Sequence, residues 1–162
     1  MFSFTLRAIF LAALAALVSA DGGVITAPAN GTVIMPGESF AFSYDAMADY
    51  SVSTYNYTVF LFTKLPSSLF SSTEWSSGHY FGRFDYPNYP AVPYSTHPAP
   101  ANLTMPDFSK RPSSGWGGGV NVTNATVYLL VLEEWLTGSD NFGLIMSLAI
   151  NELIYNATDQ AL

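Results

Sequence analysis

The sequence predicts an all-β protein, a single antiparallel β-sandwich of seven to nine strands. Short apolar runs alternate along the chain with clusters of Gly, Pro, Ser and Asn, which is how many short strands joined by turns look in sequence. Several runs alternate apolar and polar residues strictly, the period of a strand with one buried face. The longest apolar run, residues 126–135, carries β-branched Val127 and Val131 between turn residues, which favours a strand over a helix.

Taken in order, Val24 to Ala27 form a first strand, ended by Pro28 and an Asn30-Gly31 turn. Residues 32–35 form a second, and Pro36-Gly37 turns the chain into residues 39–44. There Phe40, Phe42 and Tyr44 share one face, while Ser39, Ala41 and Ser43 share the other. Residues 55–63 are the strongest strand of the first half. A glycan on Asn56 would require its face to be outside, putting Tyr55 and Tyr57 inside and leaving Phe60 and Phe62 in need of cover. Residues 78–85 form a less regular strand, with Gly82 marking a bulge or a close approach. Residues 86–100, with prolines at 87, 90, 93, 98 and 100, make an extended surface loop, because proline cannot donate to a ladder. Residues 102–105 are a short strand and 110–119 a second loop. Residues 126–135 are the central strand of the second half, apolar on both faces and so covered on both sides. Two short strands, 143–150 and 152–155, finish the fold.

Residues 1–20 read as a cleavable signal peptide: Arg7, an apolar run at 8–17, then the small-residue site Val18-Ser19-Ala20. The run is too short for a bilayer span of about 20 residues. Residues 21–162 then form one domain, secreted and free of membrane after cleavage. Six N-glycosylation sequons follow, at Asn30, Asn56, Asn102, Asn121, Asn124 and Asn156, in keeping with export from a eukaryotic cell. No cysteine occurs, so stability must come from the core rather than from disulfides.

The net charge is −7. After cleavage the only cations are Lys64, Arg83, Lys110 and Arg111, scattered among twelve carboxylates. Nucleic-acid binding needs clustered Lys and Arg, so that class is excluded.

The segments Ile25-Thr-Ala-Pro28, Gly31-Thr-Val33 and Pro36-Gly37-Glu-Ser-Phe40 together resemble the opening of small secreted fungal immunoglobulin-like modules. One such group is the necrosis-inducing secreted protein family of plant-associated fungi. Another is the N-terminal module of fungal cell-wall β-glucan assembly proteins. Phe84-Asp-Tyr-Pro-Asn-Tyr-Pro90, Thr104-Met-Pro-Asp-Phe-Ser-Lys110 and Val131-Leu-Glu-Glu134 are similar to segments of uncharacterised basidiomycete secreted proteins of comparable length. The resemblance implies an immunoglobulin-like sandwich with an extracellular, effector-type role and no catalytic residues.

Glu133-Glu134 is the obvious carboxylate pair, but neighbours on a strand point to opposite faces and cannot flank one substrate. They read as solvated or hydrogen-bonded carboxylates near a strand end, and Asp85 and Asp107 offer no supported partnership. His79 and His97 lack metal-ligand spacing, and no Gly-x-Ser-x-Gly elbow is present. The sequence therefore suggests a non-enzymatic protein needing no cofactor or metal. Trp116 in Gly115-Trp-Gly-Gly-Gly119, with Tyr86, Tyr89, Tyr94 and Tyr80, forms a set of aromatics that could stack on sugars or anchor a protein. The alternative is that they cover the sandwich ends. The expected partner is an extracellular protein or, in the second reading, a cell-wall polysaccharide.

Overall fold

The computed structural model describes residues 22–49, 52–66, 76–87, 93–109, 122–137 and 145–157. All regular structure among them is strand: β1 (Val24–Ala27), β2 (Val33–Ile34), β3 (Ser39–Ala41), β4 (Ser43–Asp45), β5 (Ala48–Asp49), β6 (Val52–Lys64), β7 (Ser77–Asp85), β8 (Asn102–Thr104), β9 (Ala125–Thr137) and β10 (Ile145–Tyr155). The all-β expectation holds. The proposed signal peptide at 1–20 lies outside the described residues.

The two expected turns are present. Gly31 and Gly37 adopt positive φ, a conformation that glycine enters without steric cost. β3 and β4 run nearly end to end, with the Phe42 amide bonded to the Ala101 carbonyl. β3 pairs with β8 and β4 with β1, both antiparallel. Phe40, Phe42 and Tyr44 are all buried, as the alternation predicted.

The larger sheet has the order β2-β10-β9-β6-β5, with β7 also paired to β6. Its neighbours are antiparallel except β2, which runs parallel to β10. One core joins the two small sheets to the large one: Ile25, Phe40, Phe42, Tyr44 and Leu103 pack with Tyr57, Val59, Leu61, Phe84, Val127, Leu129, Val131, Leu153 and Tyr155. Residues 126–135 are strand, as expected.

Three departures from the sequence reading have local causes. Tyr55 does not join Tyr57 inside. The β6–β9 register shifts between Thr54 and Asn56, so Tyr55 is the bulged residue; it is half-exposed, while Thr54 turns inward and is fully buried. The final segment is one strand, not two. Asn151 stays in the ladder opposite Leu129 because its side-chain amide donates to the Ile25 and Pro28 carbonyls. A short strand, β5, pairs with the start of β6 where none was expected.

Phe62 is buried and Phe60 half-buried. Phe60 packs against Phe62 at 5.4 Å and Tyr80 at 5.6 Å between ring centroids, so rings of the same face supply part of the cover they needed. The β6–β7 register shifts at Phe81, beside Gly82, where a bulge was expected. A side chain at Gly82 would meet the Phe84 ring at 2.7 Å.

Candidate functional site

Of the aromatics named from the sequence, Tyr80, Tyr86 and Tyr94 lie among the described residues. Tyr86 is half-buried and packs against the core, its amide bonded to the Tyr55 carbonyl. Tyr94 is 83% exposed. Trp116 and Tyr89 lie outside the described residues, as does Asn121. Among the other sequons, Asn30, Asn102 and Asn124 are exposed, whereas Asn56 and Asn156 are half-buried. The Asn156 side-chain oxygen is buried without a hydrogen-bond partner.

Both histidines serve as packing rings. His79 meets Phe81 edge-on at 4.7 Å, and partial burial lowers its pKa. His97 stacks on Phe84 at 5.5 Å.

Asp85 organises the loop that follows β7. Its carboxylate accepts from the Ser95 hydroxyl, from the Thr96 amide (2.6 Å) and hydroxyl, and from the His97 amide. These bonds, led by that of Ser95, hold its pKa well below the usual carboxylate range. Replacing Asp85 with alanine is expected to speed hydrogen exchange at the Thr96 and His97 amides while leaving that of Leu129 unchanged. Unaltered exchange at 96 and 97 would show that the carboxylate does not hold the loop.

Glu133 and Glu134 face opposite sides of β9, as strand geometry requires. Glu134 lies on the outer face and forms a two-pronged ion pair with Arg83, with contacts of 2.9 and 2.6 Å. Hydrogen bonding from Arg83 lowers the Glu134 pKa. Of the two expected alternatives, solvated or hydrogen-bonded, Glu133 takes the second: it has no exposed surface. It accepts from the Gly23 amide (2.9 Å), the Met47 amide (2.6 Å), the Ser147 hydroxyl (2.9 Å) and the Thr54 hydroxyl. Burial alone would raise its pKa. The four bonds, Thr54 foremost, outweigh that and leave it below the ordinary value, so the carboxylate stays charged at neutral pH. Its neighbour Tyr44 is pushed the other way, first by burial and then by the Glu133 charge. Glu133 thus ties the start of β1, the β4–β5 link, β6 and β10 to β9. This is a structural knot rather than an acid–base pair.

The feature that sequence reasoning missed is the outer face of the large sheet. Register sets its rows. Thr58, Leu132 and Leu148 lie side by side, followed by Phe60, Leu130 and Ile150, with Tyr80 beside Phe60. Asn56, Glu134 and Met146 form the row at one end. Leu130 is buried within this face, but Met146 is 62% exposed, Leu148 and Tyr80 each 57%, and Ile150 41%. The two charges on this face, Arg83 and Glu134, are paired with each other. Large apolar side chains therefore face outward on β10 while Ser147, Ala149 and Asn151 face inward.

The reason lies in β1, which crosses on the inner side. Gly22 approaches the Ser147 side chain, and the Ile25 carbonyl takes the Asn151 amide. Only small or hydrogen-bonding residues fit beneath it. Those small residues at 147 and 149 were the available signal: a strand burying its larger residues would have had the opposite pattern.

Comparison with protein-family models, with curated proteins and with solved structures returned no match. The geometry of the chain therefore carries the functional argument.

Proposed function

We propose that this chain is a secreted, N-glycosylated, immunoglobulin-like β-sandwich that acts outside the cell by binding rather than by catalysis. The observation that carries the reading is the apolar outer face of the large sheet, where Met146, Leu148, Ile150 and Tyr80 stand exposed around a neutralised Arg83–Glu134 pair. Contiguous apolar patches of a few hundred Å² on a soluble protein mark interaction sites. A regular sheet fixes the backbone that carries those side chains, so binding orders side-chain rotamers without also ordering the backbone.

The topology supports the immunoglobulin-like part. The N-terminal strands divide between the layers, β1 joining β4 in one and β2 running parallel to β10 in the other. The chain then returns through β6, β9 and β10 as neighbours, an order compatible with such a sandwich. The signal-like N-terminus and the sequons support the extracellular setting.

A photoreactive side chain at Tyr80, compared with one at Thr104 on the opposite sheet, tests the face. After secretion and illumination in the extracellular medium, adducts are expected from position 80 and not from 104. Equal labelling from both positions, or none from 80, would remove the face as a binding surface.

A second reading, a cell-wall carbohydrate-binding module, is favoured by the exposure of Tyr94. It would use Tyr94 with Trp116, Tyr89 and the edge of Tyr86 as a stacking platform. Sedimentation with insoluble chitin, β-1,3-glucan and cellulose tests it, with Tyr94→Ala and Trp116→Ala beside wild type. Loss of sedimentation in the variants would establish the platform, and failure of wild type to bind any polymer would dismiss it.

A further inference from the structure

We infer that a second copy of this chain docks on the edge of β10 that the described residues leave unpaired over residues 145–151, pairing antiparallel about a two-fold axis near Leu148 and continuing the large sheet through both copies. This goes beyond the reading of the outer face as a binding surface and concerns the edge that borders it.

The backbone groups of β10 point alternately toward β9 and away from it. At its C-terminal half, β10 is covered by the β2 segment: Glu152 accepts the Gly31 amide, and Ile154 donates to the Thr32 carbonyl. Glu152 also gives its own amide to the Asn30 side chain. Even-numbered residues of β10 thus turn their N–H and C=O groups away from β9, and alternate residues of a strand do the same. Met146, Leu148 and Ile150 therefore present their backbone groups along the same side. No described backbone group bonds to them there. These are also the three residues of β10 whose apolar side chains stand exposed on the outer face.

Protein edges are normally blunted by charge, proline, bulges or shortness. The opposite edge of this sheet, β7, has a bulge at Phe81 and carries Arg83. β10 has none of these devices over residues 145–151, Ile-Met-Ser-Leu-Ala-Ile-Asn, which include no charge and no proline. Its ladder with β9 runs through eleven pairs without a register shift, so the edge is regular. None of the six sequons falls within it.

A second copy fits such an edge better than an unrelated strand. Antiparallel pairing about a two-fold axis sets Leu148 opposite Leu148 and Met146 opposite Ile150, so the same uncharged apolar row lies on both sides. Neither copy offers a charge that would select an oppositely charged partner. Seven residues of strand are about 24 Å long, and with sheets stacked about 10 Å apart the sandwich edge is roughly 20 Å deep. Each copy then contributes on the order of 500 Å², which together reach the roughly 1,000 Å² of a specific interface.

Sedimentation velocity across a range of concentrations tests the pairing, together with two substitutions at an exposed position that should leave the fold intact. Wild type is expected to pass from monomer to dimer with rising concentration. Leu148→Lys sets like charges opposite each other and is expected to weaken dimerisation about ten-fold or more, with an unchanged circular dichroism spectrum. Because the chain has no cysteine, Leu148→Cys reports the axis directly. Hydrogen-bonded antiparallel partners lie about 5.5 Å apart between Cα atoms, within disulfide reach. Oxidation should give a covalent dimer from Leu148→Cys and not from Ala41→Cys, an exposed position on the other sheet. A wild type that remains monomeric, or a Leu148→Cys variant that cross-links no faster than Ala41→Cys, overturns the pairing. Labelling from Tyr80, three strands away, would still show whether the face binds other proteins.

Discussion

Replacing Glu133 with alanine is expected to cost about 3–4 kcal/mol of folding stability, because it leaves buried donors without an acceptor. The Gly23 and Met47 amides are backbone groups that cannot turn toward water without moving β1 or the link between β4 and β5. The Thr54 and Ser147 hydroxyls can re-aim, so they contribute less to the loss. Glu133→Gln keeps one acceptor oxygen but sets an NH₂ group against donors, and should fall between wild type and alanine. Glu134→Ala, one residue along the strand, removes only a partly exposed ion pair with Arg83 and should cost about 1 kcal/mol or less. Urea denaturation of the three variants checks the order. A loss below about 1 kcal/mol for Glu133→Ala would mean that the four donors find other acceptors.

The same site sets a pH dependence. The Glu133 pKa is lower in the folded chain than its ordinary value of 4.5. Its contribution to stability is therefore complete above that value and is lost as pH falls through the folded pKa. Asp85 and Glu134, also lowered, act in the same direction. The wild-type denaturation midpoint should drop between about pH 6 and pH 3, and Glu133→Gln should show a shallower drop. Equal slopes in the two proteins would assign the acid sensitivity to the surface carboxylates alone.

Leu129→Ala is the second large effect expected, about 3–5 kcal/mol. Leu129 is fully buried on the inner face of β9, paired with Leu61 on one side and Asn151 on the other. It sits in a strand flanked on both edges, so the backbone cannot easily collapse into the space left behind. Without disulfides to restrain the unfolded chain, the loss is carried by packing alone. Leu132→Ala on the outer face, where the side chain is already half-exposed, should cost about 1 kcal/mol. Similar losses at 129 and 132 would place the core on both sides of the sheet and contradict the exposure of the outer face. Thermal and urea unfolding of the pair decides between these outcomes.

Much of the architecture is legible from the residues themselves. Proline and glycine punctuate the chain where turns occur, and Gly31 and Gly37 adopt positive φ as their turns require. The alternation at 39–44 correctly buries Phe40, Phe42 and Tyr44. The opposed directions of Glu133 and Glu134 follow from the two-residue period of a strand, which by itself keeps the two carboxylates out of one cleft.

Other features depend on how distant segments meet. A single bulge at Tyr55 exchanges faces on β6, bringing Thr54 inside and Tyr55 out, and nothing in that stretch of sequence marks the position. Glu133 is buried because Gly23, Met47, Thr54 and Ser147 converge on it from 14 to 110 residues away. Local pattern left solvated and hydrogen-bonded both open, because a carboxylate is costly to bury alone and only tertiary contacts supply the compensating donors. The outward turn of Met146, Leu148 and Ile150 has the same kind of origin. The sequence by itself determined that residues on either side of Asn151 form strand, since their types suit a pleated ladder, but read them as two strands rather than one. The tertiary structure decided that Met146, Leu148 and Ile150 face outward, because the β1 segment comes close beneath Ser147 and Asn151 on the inner side, whereas farther along Leu153 and Tyr155 fill the core.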